Sequence, residues 1–151
     1  MAEVKSTQTT AIAAGYKVLP SAHGGRKRGF YAEYVNGAST LAIADTIYLG
    51  DLPKGARIRH NWVVNCSAGT ASCTLDIGFR KKSDGTVIDV DGIAALIAVS
   101  SAGNIAAVNG SSITGGLSYV TTEVVEVYAT VRAAVLAANQ KLIFEGSYVQ
   151  D

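Results

Sequence analysis

From Phe30 onward the apolar positions recur mainly at period two, the signature of strands with one face buried and the other solvated. Phe30, Ala32 and Tyr34 share one side of the run 30–35. Leu41, Ile43, Ile47 and Leu49 line up over 41–49, with Asp45 as the exception. Ile58, His60, Trp62 and Val64 lie opposite Arg57, Arg59, Asn61 and Val63, which predicts an inward Trp62 and groups His60 with it. The clearest alternation sets Leu75, Ile77 and Phe79 against Thr74, Asp76, Gly78 and Arg80. Val125, Val127, Ala129 and Val131 alternate with Glu126, Tyr128, Thr130 and Arg132, and a closing strand is expected over about 142–149.

Turn chemistry falls between these runs. Asn36-Gly37, Pro53-Lys54-Gly55, Ser67-Ala68-Gly69 and Ser83-Asp84-Gly85 supply the residues that tight turns require. Short strands with such spacing predict an all-β sandwich or barrel. One stretch departs from period two. Ile93, Leu96 and Ile97 fall at i, i+3 and i+4, with Asp91 placed to cap and Gly103 to terminate, which predicts a short helix. Residues 100–118 are small, Gly-rich and aperiodic and read as a long surface loop. No internal repeat or second domain is apparent.

Composition narrows the class. A chain of 151 residues with 48% hydrophobic and 17% charged positions suits one packed domain and excludes disorder throughout. Its longest apolar run, Ile93–Val99, is far short of the ~20 residues that span a bilayer. The N-terminal stretch lacks a continuous apolar core, so no secretory signal is expected. Two cysteines do not make a disulfide scaffold, which points to a reducing compartment. The net charge of +1 exerts no overall pull on nucleic acid or membrane.

The distribution of charge is more informative than its total. Residues 1–28 carry Lys5, Lys17, Arg26, Lys27 and Arg28 against Glu3, so the body holds eight cations and eleven acids. With Gly15, Pro20, Gly24 and Gly25 and no sustained period, residues 1–28 read as an extended N-terminal arm before a β-domain of 29–151. Such an arm either lies on a partner or is a solvated tail.

Candidate chemistry is sparse. No phosphate-binding, dinucleotide or nucleophile-elbow motif occurs, and His23 and His60 are the only histidines. Cys66 and Cys73 are too far apart in sequence for a zinc knuckle. They are expected as small free thiols, or as a disulfide if they flank one hairpin. An EF-hand register from Asp89 places Ser100 where a bidentate Glu is required, so Asp84, Asp89 and Asp91 are better read as turn and cap residues than as calcium ligands. Neither Arg26-Lys27-Arg28 nor Lys81-Lys82 makes a nucleic-acid footprint. No catalytic, cofactor-binding or metal residue is assigned.

Residues 44–64, ADTIYLGDLPKGARIRHNWVV, read as strand, Leu52–Ala56 turn and strand. Residues 124–149, VVEVYATVRAAVLAANQKLIFEGSYV, read as strand, apolar connection and closing strand. With the intervening DIGFRKKSDGTVIDVDGIAALIAVSSAG, the chain resembles small structural proteins of tailed bacteriophages, above all the head decoration or cement proteins, over roughly residues 30–150. The resemblance implies a jelly-roll-like antiparallel β-sandwich, a homotrimer, the major capsid protein as partner, and a place on the outer capsid surface of a virion assembled in the host cytoplasm. It implies no enzyme activity, cofactor, nucleic-acid or membrane partner. In that setting Lys17, Arg26, Lys27 and Arg28 are the expected capsid-binding residues. A tail or neck component is the nearest alternative. A lectin-like jelly roll, stacking sugars on Trp62, Tyr31, Tyr34 or Tyr48, is the alternative from another class. The major shell protein is disfavoured because no helical period here exceeds about two turns.

Overall fold

The computed structural model describes residues 13–16, 26–115 and 119–150. Its strands are β1 (Arg26–Val35), β2 (Thr46–Leu52), β3 (Arg57–Ile58), β4 (Val63–Cys66), β5 (Thr74–Lys81), β6 (Val87–Ala98), β7 (Gly103–Ala106), β8 (Val125–Arg132) and β9 (Lys141–Gln150). A one-turn helix α1 covers Ser111–Thr114. One sheet has the order β1-β9-β4-β7, with β3 also on β9, and the other the order β2-β8-β5-β6. All pairings are antiparallel. Setting aside the two-residue β3, the first strand pairs with the last, the second with the next to last, and so inward. That nesting is the order of a jelly roll, two sheets produced by rolling up one long hairpin.

The alternation seen in the sequence becomes the sandwich interior. Phe30, Ile58, Val64, Leu142 and Phe144 of the first sheet face Ile47, Leu75, Ile77, Phe79, Val127 and Val131 of the second, all buried. Burying a large aliphatic or aromatic side chain contributes roughly 1.5–3 kcal/mol, so this row is the main source of cohesion. Trp62 is buried as expected, its ring centroid 4.9 Å from that of Phe30. In the turn before β3, the Ala56 N–H donates to the Pro53 carbonyl at 3.2 Å, and Gly55 takes φ +82. A side chain there would be strained, which accounts for the Pro-Lys-Gly sequence.

Four expectations need correction. Residues 91–97 are not helical but lie within β6. This strand sets twelve residues against the shorter span Thr74–Arg80 of β5, with three register shifts. Each extra residue changes which side of the strand comes next, so a bulged strand imitates a helical spacing. The stretch 100–118 is not one loop. It contains β7, paired with β4, and α1. β7 is a four-residue edge strand in which only Ile105 is partly buried against the core, too short a row to leave a pattern. The run 41–49 is a strand only from Thr46. Before it, the Asp45 carboxylate accepts the Ala42 N–H at 2.9 Å and closes a turn, while Leu41 bridges Leu136. The run 57–64 is likewise two strands, because Arg59–Trp62 cross from one stretch of β9 to another. His60 is exposed on that crossing, not inward beside Trp62.

Candidate functional site

β9 is the axis of the first sheet, and its register assembles a cluster of cations that are scattered in the sequence. Along one edge Arg26 faces Gln150, Lys27 faces Val149 and Arg28 faces Tyr148. Along the other edge Arg57 faces the same Val149. Lys27 and Arg57 therefore lie two strand spacings apart on one side of the sheet, about 10 Å. The Arg59 N–H donates to the Ser147 carbonyl at 3.1 Å, and Gln150 Nε2 donates to the Lys54 carbonyl at 3.1 Å. Lys54 and Arg59 thus join the same corner. Arg26, Lys27, Arg28, Lys54 and Arg59 are exposed and Arg57 is half-buried.

Several cations elsewhere in the sandwich are held by carboxylates. Ion pairs of the described residues include those of Arg80, Lys81, Lys82, Arg132 and Lys141 with Glu126, Glu123, Asp51, Asp76 and Glu33. Arg26, Lys27, Lys54 and Arg59 take part in none of them. The next acid along β9 is Glu145, whose carboxylate accepts Asn65 Nδ2 at 3.0 Å. Cations at an edge strand also discourage unwanted strand pairing, and the RKR opening of β1 serves that end. What distinguishes the corner among the described residues is that cations from three segments meet there, which suits an anionic surface.

Of the expected contact residues, Lys17 lies outside the described residues. Arg26, Lys27 and Arg28 are the first residues of β1, already paired with β9. Sequence reasoning passed over Lys54, Arg57 and Arg59. The alternation of Arg57 and Arg59 with apolar residues was visible, but their closeness to Lys27 comes only from the β3–β9 register.

The remaining candidate groups have structural duties. Cys66 ends β4 in one sheet and Cys73 precedes β5 in the other; both are free, and burial pushes both thiols above their ordinary range. High-pKa thiols of this kind are poor nucleophiles. Asp84 accepts the Thr86 N–H in the β5–β6 turn at 2.9 Å. Asp89 accepts the hydroxyls of Ser111 and Ser112 and the Asp91 N–H, fastening α1 to β6. Burial pushes the Asp89 carboxyl up, but these hydrogen bonds prevail and hold it below its usual range. The hydrogen bond with Asp89, then burial, raise Asp91. Among the described residues no three His, Cys, Asp or Glu side chains form a metal-binding group. Trp62 is inaccessible to a sugar. The hydroxyls of Tyr31, Tyr34 and Tyr48 donate to Glu33, Asn36 and Asp51.

No known family model matches the sequence, and no curated protein matches it. Solved structures do share the fold. A chain from the capsid of Ralstonia phage GP4 superposes with a TM-score of 0.67 at 19% identity, over 89% of this chain and 92% of that one. A chain from the capsid asymmetric unit of cyanophage Pam1 gives 0.54 at 17% identity, over the full length of both. Both likenesses run nearly end to end, so the whole sandwich is shared and not one hairpin of it.

Proposed function

We propose that this chain is a non-enzymatic virion structural protein that binds the outer surface of a tailed-phage capsid and stabilises the shell, as decoration or cement proteins do. The end-to-end fold similarity to two chains from phage capsids carries the reading. The matched chains are as small as this one, which favours an accessory component over the principal shell subunit. The basic corner of Arg26, Lys27, Arg28, Lys54, Arg57 and Arg59 is the capsid-facing contact, with Lys17 contributing from the preceding segment, and the major capsid protein supplies the acidic counter-surface. Copies of the chain also associate with one another, as a homotrimer. Shell binding of this kind needs only a surface, since many weak contacts on one particle add through avidity.

The test has two arms. Quantitative protein inventory of purified particles of the encoding virus should find a copy number comparable to that of the major shell protein. A handful of copies would move the chain to the tail or neck, and absence would overturn the virion reading. In the second arm, Lys27→Glu with Arg59→Glu should weaken binding to undecorated particles about tenfold or more and flatten its salt dependence. Removing residues 2–25, which spares β1, separates the contribution of Lys17 and its neighbours from that of the corner. Binding unchanged by both the charge reversal and the truncation would dismiss the basic surface as the contact.

A further inference from the structure

Each sheet ends in two strands with an open edge, β1 and β7 in the first and β2 and β6 in the second. An open edge offers backbone N–H and C=O groups to any extended chain, so folded proteins usually shorten it, bulge it or cover it. Three of the four are guarded in this way. β7 has only four residues. β2 shifts register between Tyr48 and Gly50. β6 shifts three times, and the Asn109 side chain holds both backbone groups of Ala95, accepting the N–H at 3.0 Å and donating to the carbonyl at 2.8 Å.

β1 is different. It runs ten residues in unbroken register with β9. Its guard is the Arg26-Lys27-Arg28 opening, and the stretch beyond, Gly29–Val35, carries one charge, Glu33, which is held by Lys141. The direction of its free groups follows from β9. Lys141 exchanges hydrogen bonds with Ser67, and the Ser147 carbonyl accepts the Arg59 N–H. The β9 residues opposite Val35 and Gly29 therefore turn away from β1. Backbone groups alternate sides along a strand, so Gly29, Tyr31, Glu33 and Val35 turn their N–H and C=O groups to the open edge. Among the described residues no strand pairs with that edge. The same residues place their side chains on the solvent face, where Tyr31 is 60% and Val35 55% exposed.

A row of alternating donors and acceptors is complementary to an extended polypeptide, which would join the sheet beside β1. The charge at the start of β1 selects among such chains. A strand that reaches past Gly29 meets Arg26 and Lys27, which repel a basic chain and attract an acidic one. The basic corner calls for the same counter-charge, and Arg26 and Lys27 belong to both surfaces. We infer that the open edge of β1 takes an extended, acid-bearing segment of the major shell subunit as an additional strand, so that the capsid contact runs on from the basic corner along β1. The inference rests on the reading of the chain as a capsid-binding protein and adds the form of the contact. In strand addition the main-chain hydrogen bonds supply affinity, and the side chains flanking the new strand, here Tyr31 and Val35, supply selectivity.

The test is residue-resolved hydrogen exchange on the full chain, free and bound to undecorated particles of the encoding virus. In the free chain the amides of Tyr31, Glu33 and Val35 should exchange rapidly, while those of Phe30, Ala32 and Tyr34 are protected by β9. Binding to particles should slow the first three about tenfold or more. Proline is tolerated at edge positions whose N–H points away from the sheet, so Tyr31→Pro should keep its cooperative melting transition yet bind particles about tenfold or more weaker. Tyr31→Thr, which keeps the N–H, should bind within about threefold of the parent. Val35→Pro repeats the measurement at the other end of the edge if Tyr31→Pro does not fold. Slow exchange of Tyr31, Glu33 and Val35 in the free chain would overturn the inference. Protection lost on removing residues 2–25 would assign the edge to the chain's own N-terminal segment, and protection that rises with protein concentration would assign it to a second copy. Unchanged exchange in the particle-bound chain, or parental binding by a folded proline variant, would also overturn it while leaving the shell reading intact. A parent that does not bind particles at all removes the shell reading itself.

Discussion

Replacing Asn36 with aspartate should cost about 3–5 kcal/mol at neutral pH, lowering the melting temperature by about 8–15 °C. Asn36 ends the inward side of β1 and is only 5% exposed. Its Oδ1 accepts the Tyr34 hydroxyl and the Gly37 N–H, both at 3.0 Å. Its Nδ2 donates to the carbonyls of Ala137 at 2.8 Å and Ser39 at 3.1 Å. One side chain therefore ties the β1–β2 turn to the β8–β9 connection, and its own N–H donates to Gln140 as well. Aspartate has almost the same shape but turns the Nδ2 donor into an anionic oxygen facing two carbonyl oxygens. The introduced carboxyl is pushed above its ordinary pKa, because only its neutral form can donate. The deficit should then be largest at neutral pH and shrink as pH falls through that raised pKa. Urea melts at pH 7 and pH 4.5 measure both effects. A loss below about 1 kcal/mol at pH 7, or a loss that grows on acidification, would contradict this account.

Gly78→Ala should destabilise the fold by at least about 3 kcal/mol, chiefly by detaching β6 from β5. A Cβ on Gly78 would lie 2.1 Å from the Asp89 carbonyl oxygen and 2.5 Å from the Val90 carbonyl carbon. Both are backbone atoms, so no flexible side chain can give way and the bulged segment of β6 must move. That segment holds Asp89, to which Ser111 and Ser112 of α1 are bonded. Hydrogen exchange should therefore accelerate over β6 and α1 before it does over the β1–β9 ladder. Gly37→Ala is the matched control, since a Cβ there meets nothing within 4 Å. If the two substitutions behave alike, the close crossing of β6 over Gly78 is not what the glycine serves.

The same crossing shows why the sequence was legible in some places and not in others. Leu75, Ile77 and Phe79 could be read directly, because β5 is central in its sheet and each step along it reverses the face. Val125 to Val131 and the closing strand were legible for the same reason. β6 was not, since its extra residues reset the phase and left Ile93, Leu96 and Ile97 at helical spacing, with Leu96 turned outward. β7 lay hidden because a four-residue edge strand with one inward side chain, Ile105, carries no row to read. The candidate site divides similarly. Arg26, Lys27 and Arg28 were evident as a charge run, but Lys54, Arg57 and Arg59 were not evident as their neighbours.

By itself the amino-acid sequence determined the all-β class, the inward rows of the core, the inward Trp62 and the tight turn at Gly55. These depend on local periodicity and local backbone sterics, which each short segment carries with it. Only the tertiary structure decided the jelly-roll order, the bulges of β6 and the gathering of six cations along β9. Those features follow from which strands pair and in what register. Register is set by the simultaneous packing of two sheets against one core, a condition no single segment contains.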